Sequence, residues 1–202
     1  MNVDVRRSSG DTAVFAVAER IVRDEGPHAL SVRRIADEAG TSTQAIYTEF
    51  GGKPGLADAL YREGYARLAD RLERLDRSAP VLDRIRRLGE AYRDNALENP
   101  HLYDLMTAHP LPEYEPPPAS RGFARTTLQP LIDAVADAVE AGELAGDAER
   151  IAHEMWASGH GVLSLTIHGL LSRERAITMI DDMTEMLLGQ HAPATQAPSS
   201  SA

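Results

Sequence analysis

The sequence predicts an all-α protein in which a three-helix head precedes a larger C-terminal helical bundle, about nine helices in total. Three observations carry that expectation. Apolar residues recur at helical spacing along almost the whole chain, no segment alternates as a half-buried strand does, and Gly, Pro and Ser stand where the apolar spacing breaks. The 202 residues suffice for one medium domain or a small module joined to a larger one, and 43% apolar with 26% charged residues is the composition of a chain that buries a core.

A first helix is expected from about Asp11 to the Gly26-Pro27 stop, with Phe15, Ala18, Ile21 and Val22 on one face. Ser31 can cap a second, whose Val32, Ile35, Ala36 and Ala39 face inward and which ends at Gly40. Thr41-Ser42 offers the next cap, and Ala45, Ile46 and Phe50 continue the spacing to Gly51-Gly52. Pro54 opens a longer helix reaching about Leu75, followed by Val81–Leu97 and a short piece around Leu102–Met106. Prolines 110, 112, 116, 117 and 118 make 109–118 an extended or turning connector. Helical spacing resumes over Phe123–Ala141, Asp147–Leu171 and Glu174–Leu188. The expected division is a flexible arm over 1–10, the head over 11–56, a larger helical domain over 57–189 and a disordered tail over 190–202.

Composition excludes several function classes. The chain has no cysteine, hence no disulfide framework, thiolate zinc site or cysteine nucleophile, which fits a reducing compartment such as the cytoplasm. The start lacks an apolar run of signal-peptide length, and the longest apolar stretch, Gly161–Leu171, is interrupted by His168, so no membrane association is expected. A net charge of −10 rules out a uniformly basic coat; contact with phosphate must come from a local patch. Of the 21 cationic residues only Lys53 is lysine.

Residues 30–56, LSVRRIADEAGTSTQAIYTEFGGKPGL, carry most of the functional signal. Gly40 permits a positive φ between steeply crossing helices, and Ala36 and Ala39 allow their close approach, which is helix-turn-helix geometry. The second motif helix then offers Ser42, Thr43 and Gln44 at its N-terminus to the major groove. Gln44 has the bidentate chemistry for adenine and Arg33 that for guanine, each good pair discriminating by about 1 to 3 kcal/mol. Tyr47, Thr48 and Lys53 suit phosphate anchoring, Ser31 and the helix start behind it offer another phosphate site, and Arg6 and Arg7 on the arm are placed to reach the minor groove. The alternative for the same residues is structural: Ser31 and Ser42 as caps only, Tyr47 as a core aromatic, Arg33 and Arg34 as a solvated face.

In Ala36, Ala39, the Gly40 turn and the series Tyr47, Phe50, Lys53 and Leu56, this stretch resembles the tetracycline-repressor (TetR) family of bacterial transcription regulators. The resemblance implies DNA contacts at Arg33, Thr43, Gln44, Tyr47 and Lys53, a repressor acting on a double-stranded, (pseudo)palindromic operator, and a C-terminal domain that binds a small-molecule effector and forms the homodimer. Glu49 departs from it, standing where many members carry an aromatic, histidine or basic residue. Over 27–56 the cations Arg33, Arg34 and Lys53 only match Asp37, Glu38 and Glu49, so the head is not strongly basic and tight binding requires two heads acting together.

The C-terminal helices are more apolar than one small monomer readily covers. Ile151, Met155, Trp156, Val162, Leu163, Ile167, Leu170 and Leu171 surround most of one helix, and Ile177, Ile180, Met183, Met186 and Leu187 form two stripes on the next. A two-fold four-helix interface is expected, through Leu163, Ile167, Ile180, Met183 and Leu187, and the family's dimers pair their last two long helices in the same way. MWASGHGVLSL, residues 155–165, resembles the Trp, His-Gly pattern of one branch of these ligand-binding domains. By the same resemblance a ligand cavity is expected around Tyr92, Leu102, Met106, Phe123, Thr127, Trp156 and His160, with His109, Thr127 and His160 as its hydrogen-bonding groups.

Enzyme signatures are missing. His153-Glu154 begins a zinc-protease-like string, but Ala157 stands where the second histidine belongs. His153, His160 and His168 share one side of a helix across several turns, too far apart to meet at one ion. Glu98 and His101 are separated by a helix-breaking Pro100, and no phosphate loop or nucleophile elbow occurs. A non-enzyme without metal or cofactor is expected. The other readings are a helical interaction protein that does not bind DNA and a bundle enzyme acting on a small apolar substrate.

Overall fold

Short polar side chains start helices where the sequence places them. In the computed structural model, which describes residues 9–108 and 111–193, the side chains of Ser31, Ser42, Asp147 and Ser172 accept hydrogen bonds from the backbone N–H groups of Arg34, Ala45, Arg150 and Arg175. The described residues form α1 (Ser9–Glu25), a 3-10 turn (Pro27–Ala29), α2 (Val32–Ala39), α3 (Thr43–Phe50), α4 (Lys53–Glu73), α5 (Val81–Glu98), α6 (Pro100–Thr107), α7 (Pro118–Thr126), α8 (Gln129–Glu140), α9 (Ala148–Ile167) and α10 (Arg173–Gln190). No strand occurs among them. The protein is all-helical, with an N-terminal helix-turn-helix and a C-terminal helical domain.

Two compact units divide the chain, the first from the described residues up to Arg67 together with Glu98–Thr126, the second from Leu68–Leu97 together with those from Thr127 on. In the first, Phe15, Ala18, Ile21 and Val22 of α1 pack with Ile35 and Ala36 of α2, Ile46 of α3 and Leu56 and Leu60 of α4; Leu102, Leu105 and Met106 of α6 and Leu111 and Tyr114 beyond it join the same core. In the second, Ile85, Leu88 and Ala91 of α5 pack with Ala134, Val135 and Ala138 of α8, Ile151 and Ala152 of α9 and Leu188 of α10, with Leu68 and Leu72 at the end of α4.

Three element boundaries differ from the sequence reading. The single helix expected over Phe123–Ala141 is two, because Pro130 lacks the N–H that would bond back to Thr126; α7 ends at Thr126 and α8 begins with Pro130 in its first turn. The helix expected to run to Leu171 stops at Ile167, where the N–H of Leu170 closes back on the Leu165 carbonyl at 2.8 Å in a Schellman-type turn. The last helix continues past Leu188 to Gln190, and His191 behind it is buried against Glu154, Nε2 to Oε2 2.8 Å. The arm expected over 1–10 lies outside the described residues except for Ser9 and Gly10 at the start of α1, and so does most of the expected tail.

Candidate nucleic-acid interface

α2 and α3 are joined by a turn that only a residue tolerant of positive φ makes easily. Gly40 sits at φ 68° and ψ 34°, and its N–H and that of Thr41 both return to the Ala36 carbonyl, closing α2 before the chain turns into α3. Ile35, Ala36 and Ile46 bury the inner faces of the two helices. Because Ile46 is the buried position of α3, steps of about 100° put Gln44 and Thr48 in the middle of the outer face, Thr43 and Tyr47 on one shoulder and Ala45 and Glu49 on the other. All six are exposed.

Several of the expected contact residues also have structural duties. Ser42 Oγ accepts the Ala45 N–H at 3.1 Å, and Ser31 Oγ accepts the Arg34 N–H at 3.5 Å, so both serines cap helices while remaining exposed. Thr48 Oγ1 donates its proton to the Gln44 carbonyl at 2.9 Å, leaving only lone pairs toward solvent. Tyr47 is 57% exposed, so it is not a core aromatic. Its ring lies over the backbone of Gly52, a residue at φ +86° on which a Cβ would stand 2.6 Å from Tyr47 Cε1. The glycine therefore fixes where the phenol stands.

Charge is distributed less evenly than the balanced count implies. Arg34 is engaged by acids of its own unit: its two terminal nitrogens donate to Glu25 at 2.7 and 2.5 Å, and its Nε donates to Glu38 at 2.7 Å. Arg20 also donates to Glu38. Hydrogen bonds from Arg34 hold the Glu25 carboxyl below its ordinary range. Arg33, by contrast, is exposed and has no ion pair among the described residues. Lys53 pairs with Glu113, Nζ to Oε1 2.6 Å. Sequence reasoning missed Glu25 and Glu113 as partners because they lie 9 and 60 positions from the cations they hold; no periodic or motif signal links such pairs.

The residues expected around a ligand fall into the two units. Leu102 and Met106 are buried in the first core, and Phe123 of α7 is half-buried in the same unit. Tyr92, Thr127 and His160 are half-buried in the second unit, while Trp156 is 41% exposed, with the His160 ring 5.9 Å and the His153 ring 6.3 Å from it, centroid to centroid. Burial holds the His160 imidazole below its ordinary pKa. His109 lies outside the described residues. No group of His, Asp or Glu among the described residues is arranged to hold a metal ion.

Of the residues expected at a dimer interface, Leu163, Ile180 and Leu187 are turned into the chain's own interior, and Ile167 and Met183 are half-buried. The large apolar side chains that α9 and α10 leave in water are Trp156, Leu165, Met179 and Met186, with Leu170 in the turn between them. Hydrophobicity alone selected the inward stripe.

Two family models match this chain. Residues 14–60 match the bacterial regulatory proteins of the tetR family, and residues 85–190, more than half of the chain, match the tetracyclin repressor-like C-terminal domain. The chain belongs to the TetR family.

It is 25% identical over 194 residues to the HTH-type transcriptional regulators Mb1846 of Mycobacterium bovis and Rv1816 of Mycobacterium tuberculosis, covering 81% of this chain and 82% of each relative. Among solved structures, a Rhodococcus sp. RHA1 protein described as of unknown function superposes with a TM-score of 0.80 at 27% identity, covering 95% of this chain and all of that one. A tetR-family regulatory protein from Rhodococcus RHA1 superposes with a TM-score of 0.72 at 20% identity, covering 93% of this chain and all of that one, and shows the shared fold. The protein is thus a TetR-family transcriptional regulator with a DNA-binding helix-turn-helix. No helix of the described residues is long and apolar enough to cross a membrane.

Proposed function

We propose that this TetR-family regulator is a homodimeric repressor that a small-molecule effector releases from a (pseudo)palindromic operator. The observation that carries the reading is the outer face of α3, where Gln44 stands exposed beside a Tyr47 ring seated on Gly52. Ser42, Thr43, Gln44 and Arg33 face base edges, while Ser31, Tyr47 and Lys53, with Thr48 once its hydroxyl turns away from the Gln44 carbonyl, set the register on phosphates. Since Arg34 is internally paired, one head presents little free positive charge. Two heads on half-sites one helical turn apart supply the missing affinity.

The dimer forms through α9 and α10, whose exposed Trp156, Met179 and Met186, flanked by Ile167 and Met183, are the apolar surface a second copy buries. The effector binds in the C-terminal domain, with His160 and Thr127 as polar groups and Tyr92 and Trp156 as walls; the Trp156, His160, Gly161 pattern belongs to this same reading. α4, which begins at Lys53 beside the motif, carries the response to the head. The effector needs only the usual coupling of about 1 to 3 kcal/mol between its site and the DNA site. A bacterial regulator of this kind works in the cytoplasm, where the chromosome is, and no catalytic step is assigned to it.

Selection from random duplexes at low salt tests the reading. The expected result is an enriched two-fold sequence, from which a metabolite that raises the protein's thermal stability then releases the protein. A folded protein that enriches no sequence is instead a helical interaction protein.

A further inference from the structure

The one lysine of the chain is held by an acid from a segment that reaches back to the head. Lys53 opens α4 next to the recognition helix, and Glu113 lies between α6 and α7, its Oε1 2.6 Å from Lys53 Nζ. The carboxylate is presented by a fixed turn. Leu111 and Tyr114, on either side of Glu113, are both buried, and the Tyr114 N–H donates to the Leu111 carbonyl at 3.0 Å. Tyr114 Oη donates to Asp58 of α4 at 2.9 Å and its ring meets Tyr61 edge-on at 6.3 Å. Further along, Arg121 holds the Pro116 carbonyl at 2.8 Å and Glu115 at 3.0 Å. The turn therefore cannot drift away from α4 without breaking these contacts.

We propose that Glu113 is an internal competitor of the DNA backbone: it occupies the Lys53 ammonium that a phosphate would otherwise take, and operator binding has to displace it. An ammonium has three donors, so hydrogen bonding alone does not exclude sharing. Charge does, because a phosphate brought onto Lys53 meets the Glu113 carboxylate as well as the cation. The head carries no other lysine, and Arg34 is already neutralised by Glu25 and Glu38, so release of Lys53 changes a large part of its free charge. Hydrogen bonding from Lys53 keeps the Glu113 carboxyl below its ordinary range, so the pair is intact at neutral pH. The fixed 111–114 turn thereby limits DNA affinity.

The proposal rests on Lys53 contacting DNA, and the experiment separates the two. Affinity for one selected duplex is measured at low salt for the wild type, Glu113→Gln, Lys53→Met, the double variant, and Glu115→Gln, which removes a charge from the same segment but pairs with Arg121 instead. Glu113→Gln is expected to tighten binding about two- to five-fold per head, the range of an exposed ion pair, with the gain shrinking as salt rises and absent in the Lys53→Met background. Glu115→Gln is expected to leave affinity unchanged. Weakening by Lys53→Met with no gain from Glu113→Gln, or an equal gain from Glu115→Gln, overturns the competitor and leaves the DNA contact standing. If Lys53→Met binds as the wild type does, the contact itself fails and the competitor with it.

Discussion

Arg67 of α4 donates to Glu19 of α1 at 2.9 Å and makes that acid a structural element of the head. Glu19 is only 8% exposed. Arg23 donates to its other oxygen at 2.8 Å, His101 of α6 lies at 3.4 Å, and Arg67 also reaches Asn99 at 2.8 Å and Glu63 at 3.0 Å. One carboxylate thus ties α1, α4 and the start of α6. Removing its charge with Glu19→Gln leaves Arg67 and Arg23 facing a neutral amide, and since Arg67 is about one-third exposed the loss is expected at about 1 to 3 kcal/mol rather than that of a fully buried pair. Chemical denaturation followed by circular dichroism measures it.

The same cluster sets an acid limit. Burial alone would raise the Glu19 carboxyl, but hydrogen bonds and charge from Arg67, with help from His101 and Arg23, outweigh it and leave it below the ordinary 4.5. Burial likewise holds His101 below the ordinary 6.5, despite its hydrogen bond with Glu19. Both groups bind protons more readily in the unfolded chain, so their stability is present at neutral pH. It is lost first below about pH 6.5 for His101 and then below about pH 4.5 for Glu19. Stability curves against pH are expected to lose the upper step in His101→Asn and the lower one in Glu19→Gln.

Gly52→Ala separates binding from folding. The new methyl meets the Tyr47 ring and the backbone is held at a positive φ, so an intrinsic strain of about 1 kcal/mol or more is expected. The Tyr47 ring must also move, and DNA affinity should fall by more than Tyr47→Phe causes. Thermal melts and duplex titrations of the two variants make the comparison.

Ser42 has two duties that substitution distinguishes. Ser42→Ala removes the cap on α3 at a cost of about 1 kcal/mol, whereas Ser42→Asp keeps a capping oxygen and adds a negative charge beside the proposed phosphate path. Aspartate is expected to restore stability and abolish DNA binding. Restored stability with unchanged affinity would make Ser42 a cap alone.

What was legible in the sequence was local. Ser31, Ser42 and Gly40 act within three or four residues of themselves, and each sits where its chemistry predicts. The Pro130 break was equally local but was overlooked beneath a continuous apolar spacing. Glu19 gives no such local signal, because Arg67 and His101, which hold it, are distant in sequence. Leu163, Ile180 and Leu187 of the expected interface are buried within the chain itself, because periodicity gives a helix's faces without saying which faces its own chain. The Glu113 partnership with Lys53 depends on a long connector folding back and leaves no trace in spacing.

Met186 and Trp156 test the dimer surface. Met186→Glu and Trp156→Glu place charges on exposed apolar positions, so the chain should keep its helical circular dichroism while sedimentation shows the dimer lost and the melting temperature falls by what association supplied. Leu163→Ala, at a fully buried position, is expected to destabilise the chain itself by about 2 to 5 kcal/mol.

The most direct measurement is a base-by-base affinity scan of a selected duplex with wild type and Gln44→Ala. The account predicts that Gln44→Ala loses about 1 to 3 kcal/mol on the preferred duplex and becomes indifferent to one base pair in each half-site while keeping its preference elsewhere. A uniform loss across all duplexes, or no loss, would contradict α3 as the reader of sequence.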